Sequence, residues 1–271
     1  MVQVGPQRLH VTWETLPEDF VLPDDPVENI QHPFLAAALT DALATAGRIT
    51  PEMLVASNFG LVSTIGGQTV VKAPDWLWVP RVNPVLPGVN RRSYTPYLEG
   101  DGVAVVMEFL SDTEMGEYSY RPTYPYGKLY YYEQILKVPT YVIFDQKLLS
   151  LAVRRLEDGR YVNESPNAHG HYWIPELQLW LGLWEGERVG VVTHWLRWWN
   201  EAGHLLLWAS EQSLLERQRA EQERQRAEQE REVRRAAAAK LLAMGLSIEQ
   251  VAEALQLSTA EVQAQQETEH P

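Results

Sequence analysis

Lys72-Ala73-Pro74-Asp75-Trp76-Leu77-Trp78-Val79 and Val103-Ala104-Val105-Val106-Met107-Glu108-Phe109-Leu110 decide how this chain is read. Both are short runs of β-branched, aromatic and aliphatic residues, the composition of buried strands. Each carries one carboxylate at its edge, Asp75 in the first and Glu108 in the second. An acid in that position either ends a strand at the surface or is held there by partners. Two carboxylates on neighbouring strands make a hard oxygen site suited to Mg²⁺ or Mn²⁺. A lysine, Lys128, follows on a segment with helical spacing. Acid, acid, lysine is the order expected of a metal-dependent phosphodiesterase core.

The elements around these runs give the fold class. Residues 31–46 have apolar residues near helical spacing, with Pro33 suited to a first turn. A strand or hairpin broken at Gly66-Gly67 is expected over 60–71, and a strand over 76–79. Residues 80–102 read as a long loop, a type that tends to be functional. Residues 103–109 read as a central strand, 126–136 as a helix and 140–144 as a buried strand. On that helix Leu129, Tyr132 and Leu136 fall on one face, with Lys128 and Tyr131 elsewhere. A hairpin turning at Asp158-Gly159 follows. The order predicts an α/β domain, a mixed sheet flanked by helices. Residues 1–30 read as an irregular lead-in and 163–208 as loop-rich, with Trp195 to Trp199 packing its C-terminal edge.

Composition narrows the classes. The chain has 271 residues, enough for one good core and an appendage, and a formal net charge of −13. That charge argues against a broad, sequence-blind grip on nucleic acid, which depends on Lys and Arg. It leaves room for a nuclease, because a bound cation and a small basic patch offset charge locally. Cysteine is absent, which removes disulfides, thiolate zinc sites and a cysteine nucleophile. No apolar run spans a bilayer and no signal peptide is read at the N-terminus, so a cytoplasmic location is expected.

The composition changes after residue 210. Glu216-Arg217-Gln218-Arg219-Ala220-Glu221-Gln222 is repeated unchanged as Glu223 to Gln229. Its faces are polar all round, so it reads as a solvated single helix held by Glu–Arg pairs, with a coiled coil and a homodimer as the alternative. Residues 236–271 read as three short helices with helix-turn-helix spacing. Ser247 with Gln250 and Ser258 with Glu261 form capping boxes, and Gln256 stands where a turn usually has glycine. Thr259, Glu261 and Gln263 on the last helix offer no cation for DNA, so a protein-contact module is the expectation. The domains are therefore 1–210, 211–235 and 236–271.

Several segments together resemble one family. Val55-Ala56-Ser57-Asn58-Phe59-Gly60, Ala73-Pro74-Asp75, Arg91-Arg92-Ser93-Tyr94 and Val106-Met107-Glu108-Phe109 look like the Uma-two family of restriction endonucleases, within the PD-(D/E)xK nuclease superfamily. Gly127-Lys128 with Tyr132-Glu133, and Gly170-His171-Tyr172-Trp173-Ile174-Pro175, are similar to it too. The resemblance runs over about residues 30–208, and the polar heptad tail is like those of many members. It implies a restriction-endonuclease-like α/β core, a divalent-metal site and DNA as substrate. In this chain Leu110 follows Glu108-Phe109, so the superfamily's acid-x-Lys lysine is missing from the strand, and Lys128 is its candidate replacement.

On this reading Asp75, Glu108 and the Phe109 backbone carbonyl bind Mg²⁺ or Mn²⁺, and Lys128 orients water or stabilises transition-state charge. Arg91, Arg92 or Arg121 would neutralise flanking phosphates. His32 and Tyr132 would line the site, although a helix-start histidine and a tyrosine on an apolar face more often serve capping and packing. His169 and His171 lack a third metal ligand and read as a structural turn. Two other classes stay open. One is an inactive nuclease fold acting as a binding or assembly module through its tail. The other, a glycoside hydrolase, lacks the flanking carboxylate pair such sites need.

Overall fold

The computed structural model describes residues 10–15, 31–110 and 118–263. Most of the lead-in expected over 1–30 and the end of the last short helix lie outside them. The chain divides into two compact units, Met1–Ala209 and Ser210–Pro271.

The first unit is built on a six-stranded sheet in the order β2-β5-β6-β7-β8-β9. Its strands are β2 (Leu54–Ala56), β5 (Trp76–Val79), β6 (Val105–Phe109), β7 (Thr140–Asp145), β8 (Ser150–Glu157) and β9 (Arg160–Asn163). Only β6 and β7 pair in parallel; the other neighbours are antiparallel. The single parallel step is made by the one helical crossover, α2 (Lys128–Tyr130) running into a π-helical segment, Tyr131–Leu136. Parallel neighbours need such a crossover because a tight turn cannot join them.

Side-chain alternation assigns the two faces. Trp76, Trp78, Val105, Met107, Phe109, Val142 and Phe144 enter one core with helix α1 (Gln31–Thr45). Leu77, Val79, Val106, Tyr141 and Ile143 enter the other, with Tyr131, Tyr132, Ile135 and Leu136 of the crossover. A hairpin of β3 (Leu61–Ile65) and β4 (Gln68–Lys72) closes that second face. It turns at Gly66 and Gly67, whose φ values of 58° and 79° suit the tight left-handed turn that glycine permits. Val11–Thr12, here β1, pairs with β3 and gives the lead-in a strand where irregular chain was expected.

Residues 163–208 are the larger correction. They hold a three-stranded antiparallel sheet of β10 (Tyr172–Ile174), β11 (Leu179–Arg188) and β12 (Val191–Trp199). Two glycines in β11 disguise it, because glycine weakens a strand pattern. Both are required by close neighbours. A Cβ at Gly182 would stand 2.4 Å from the His171 ring, and one at Gly186 1.9 Å from the Trp184 ring.

This sheet carries tryptophan onto α1, so Trp195 to Trp199 forms core and not an edge. The rings of Trp195, Trp198 and Trp208 are buried with Leu35, Leu39 and Leu43. Their indole N–H groups need acceptors. Trp198 donates to the Leu39 carbonyl at 3.3 Å, Trp208 to the Ala38 carbonyl at 3.0 Å, and Trp76 to Thr40 Oγ1 at 3.0 Å. One side of α1 is thereby tied to both sheets. Arg197, fully buried, lays its guanidinium 3.4 Å from the Trp208 ring centroid and donates to the Leu206 carbonyl.

The second unit begins along α3 (Ala209–Ala243). The repeated heptads are exposed throughout, as an all-polar helix requires, and residues 236–243 continue the same helix where a separate one was expected. Its C-terminal part packs Ala238 on Val251 and Ala252 of α4 (Ile248–Leu255) and on Val262. Both expected capping boxes form: Gln250 N–H donates to Ser247 Oγ, and Glu261 N–H to Ser258 Oγ. Gln256 has φ 53°, the left-handed turn position that glycine usually fills. Among the described residues no helix is long and apolar enough to cross a membrane.

Replacing Trp198 tests the tie between α1 and the second sheet. Trp198→Ala should lose about 3–5 kcal/mol of unfolding free energy. Trp198→Phe should lose much less. Urea unfolding followed by circular dichroism reads both, and equal losses would contradict the packing role.

Candidate active site

Asp75 precedes β5 and Glu108 lies within the neighbouring strand β6. β5 and β6 pair Trp76 with Met107, Leu77 with Val106 and Trp78 with Val105. One further step in that register sets Asp75 opposite Glu108. Asp75 extends the ladder through its side chain, Oδ2 accepting the Phe109 N–H at 2.5 Å. Its other oxygen lies 3.8 Å from His32 Nδ1.

His32 sits in the first turn of α1, buried and edge-on to the Phe109 ring at 5.7 Å. Its Nε2 is buried with no hydrogen-bond partner among the described residues. Unsatisfied buried polar atoms are uncommon because they cost about 1–3 kcal/mol each. His32 therefore lines the space around Asp75.

Glu108 shares its side of β6 with Val106, the side covered by the crossover. Its side chain is 0% exposed. A buried carboxylate needs donors on its oxygens. Lys128 Nζ lies 3.2 Å from Oε2, and the Tyr132 hydroxyl donates to Oε1 at 2.8 Å. Lys128 and Tyr132 are four residues apart and so share a helix face. The expected division, with Lys128 on a different face from Tyr132, is not what forms. Tyr131 instead meets Ser63 Oγ at 3.0 Å and donates to the Leu61 carbonyl at 3.1 Å. The π-helical turn thus buries two consecutive tyrosine hydroxyls against different strands. π-Helical turns recur at functional sites.

Burial raises the Tyr132 phenol well above its ordinary pKa, and the Glu108 charge pushes the same way. The hydroxyl stays protonated and remains a donor. Gly127 sets the start of the crossover: a Cβ there would stand 2.1 Å from the Ser119 carbonyl oxygen.

The expected phosphate-contacting arginines are not one group. Arg91 is engaged within its own loop, 2.5 Å from Glu99 Oε1 and from the Asn83 carbonyl. Arg92 is exposed on the same loop. Arg121 is exposed beside the crossover, its carbonyl accepting the Gly127 N–H at 3.0 Å. His169 and His171 occupy a turn in which Asn167 Oδ1 accepts both their backbone N–H groups. His171 stacks on Trp199 at 3.9 Å, which binds that turn to the second sheet.

Two carboxylates, Asp75 and Glu108, are the donor type a hard divalent cation takes. Among the described residues no three His, Asp or Glu side chains converge on one point. Two protein carboxylates with water completing the shell is a usual arrangement for Mg²⁺.

A mixed sheet with a helix on each face and two acids on its adjacent central strands is an α/β fold of the restriction-endonuclease-like kind. The family model Uma2, described as "Putative restriction endonuclease", matches residues 17–190. The chain belongs to the Uma2 family. No curated protein matches it. The matched region contains Asp75, Glu108 and Lys128, and ends before β12.

Two substitutions probe the site's support. Tyr132→Phe should cost about 1–3 kcal/mol, because it removes a hydrogen-bond donor from a buried carboxylate. Gly127→Ala should displace the start of the crossover and cost about 1–3 kcal/mol. Thermal unfolding of each against wild type checks both, and an unchanged midpoint would contradict the geometry.

Alkaline pH gives a further check. Burial raises Tyr94, Tyr131, Tyr132 and Tyr161 together. Above pH about 10 the unfolded chain ionises these four tyrosines while the folded chain holds them protonated. Stability should therefore fall as pH rises above that value, measured as a falling urea midpoint. A flat midpoint would remove the burial argument.

Proposed function

We propose that this protein is a divalent-metal-dependent endonuclease that hydrolyses phosphodiester bonds of DNA, with Asp75, Glu108 and Lys128 as its catalytic residues. What supports the reading is that Asp75 Oδ2 accepts the N–H of Phe109, the residue after Glu108, at 2.5 Å, with Lys128 Nζ 3.2 Å from Glu108. A Mg²⁺ or Mn²⁺ ion held by Asp75, Glu108 and the Phe109 carbonyl would activate a water and polarise the phosphate.

The chain's own groups divide the remaining work. Lys128 brings a cation to the acids, where it offsets charge developing on a phosphate oxygen. Tyr132, held neutral, fixes one oxygen of Glu108 and so its rotamer. The Phe109 N–H fixes Asp75 in the same way. His32 positions Asp75 from the α1 side. Arg121 and Arg92, both exposed, would meet flanking phosphates. The second unit, an exposed polar helix with a small helical cap, would serve as a contact module for another protein or a second copy. The lack of cysteine suits a cytoplasmic setting.

One observation favours a different class. Glu108 is 0% exposed with both oxygens engaged, which suits a structural ion pair in an inactive nuclease fold used for binding. Cleavage decides between them. Wild type should nick supercoiled plasmid with Mg²⁺ or Mn²⁺ and not with EDTA. Asp75→Ala and Glu108→Ala should each lower the rate by at least about a hundredfold, the scale of losing electrostatic transition-state stabilisation. Equal cutting by the variants, or an inert wild type, would hand the reading to the binding module.

A further inference from the structure

The segment leading into Lys128 carries chemistry that hydrolysis does not use. Residues 118–130, Tyr118-Ser119-Tyr120-Arg121-Pro122-Thr123-Tyr124-Pro125-Tyr126-Gly127-Lys128-Leu129-Tyr130, contain five tyrosines, two cations and no acid. That stands out in a chain with a net charge of −13. The rings form a continuous series. Tyr120 meets Tyr130 edge-on at 5.2 Å, Tyr130 stacks on Tyr126 at 6.1 Å and 12°, and Tyr126 meets Tyr124 edge-on at 6.3 Å.

The inner rings are half-buried and hold the series in place. The outer ones are open, Tyr120 at 41% and Tyr124 at 55% exposure, and Tyr118, just before them in the chain, is 40% exposed. Arg154 of β8 and Arg160 of the edge strand β9 lie against Tyr118 and Tyr120, and Arg160 also pairs with Glu133 at 3.3 Å. The Arg154 guanidinium is 5.4 Å from the Tyr118 ring, and that of Arg160 5.5 Å from the Tyr120 ring. Arg121, on the segment itself, is exposed.

Loop folding alone does not require aromatic rings at the open ends of this series. A rigid row of exposed rings flanked by guanidinium groups matches what unpaired nucleic acid needs. Bases stack on aromatic faces, and cations follow the phosphates. A paired duplex keeps its base faces stacked inside and cannot use such rings. Position supports the assignment. Tyr130 lies two residues from both Lys128 and Tyr132, so it faces away from Glu108 on the same helical turn. One helix diameter, about 10 Å, separates the two sides, a gap that a short unpaired strand bridges.

We propose that Tyr118, Tyr120 and Tyr124, with Arg121, Arg154 and Arg160, form a base-stacking platform for single-stranded DNA on the far side of the crossover that carries Lys128. It deepens the nuclease reading by naming an unpaired strand as the preferred substrate. As a binding surface it can be tested without cleavage.

Anisotropy of a labelled oligothymidylate, titrated with the full-length protein in EDTA, is the direct test. Wild type should bind it more tightly than either a duplex or an abasic chain of the same length. Tyr124→Ala should weaken binding about tenfold, the scale of one lost base stack. Tyr124→Trp should restore it. Arg121→Ala should lower the salt slope by about one unit.

Equal affinity for the abasic chain would overturn the platform even if plasmid nicking succeeds. So would tighter binding to duplex, or to oligouridylate over oligothymidylate. Tyr124-dependent binding by a protein that cuts nothing would uphold the platform and remove the nuclease. If Tyr124→Ala fails to fold, the comparison of base-bearing and abasic chains on wild type decides.

Discussion

A carboxylate with no exposed surface constrains everything around it. Glu108 is tolerated in the middle of the sheet because a lysine and a tyrosine meet its two oxygens. Both come from one crossover, and that crossover is the connection that lets β6 and β7 run parallel. Topology and site therefore share one cause. The chain must cross over between these strands, and the crossing segment supplies the donors that make a buried acid affordable. The second acid is tied to the same strand, because Asp75 accepts the Phe109 N–H next to Glu108.

The support behind this arrangement is aromatic. Three indole N–H groups bond to α1, which fixes the helix that carries His32 against the sheet. On the opposite face Tyr131 anchors the crossover to the β3 strand. The acids are thus held from both sides by side chains that are large, buried and hydrogen-bonded. Such residues move little, which suits a site that depends on distances of a few tenths of an ångström. The same aromatic abundance reaches the surface on residues 118–126, where three tyrosines are exposed close together in the chain.

Much of the fold was legible because its signals are local. Residues 60–71 show a hairpin through Gly66-Gly67, and 76–79 and 103–109 read as buried strands from composition alone. The capping boxes at Ser247 and Ser258 needed only a spacing of three. The second sheet was not legible, since Gly182 and Gly186 dilute its pattern to make room for the His171 and Trp184 rings, a need that shows only once the rings are placed. The site was legible in part. Asp75, Glu108 and Lys128 stood out as residue types in order, while the bond from Tyr132 could not be read from an apolar helix face.

What the sequence by itself determined is the set of elements and the chemistry on offer: buried strands with an acid at each edge, a lysine downstream, and a polar helical tail. Periodicity and composition act over a few residues, so they survive without a structure. Tertiary structure alone decided who meets whom. The step that sets Asp75 opposite Glu108 is a matter of register between strands joined by a long loop. The meeting of Lys128, Tyr132 and Glu108 depends on a helical turn that widens at Tyr131. Neither follows from local preference, because register and helix rotation are set by the packing of distant side chains against one another.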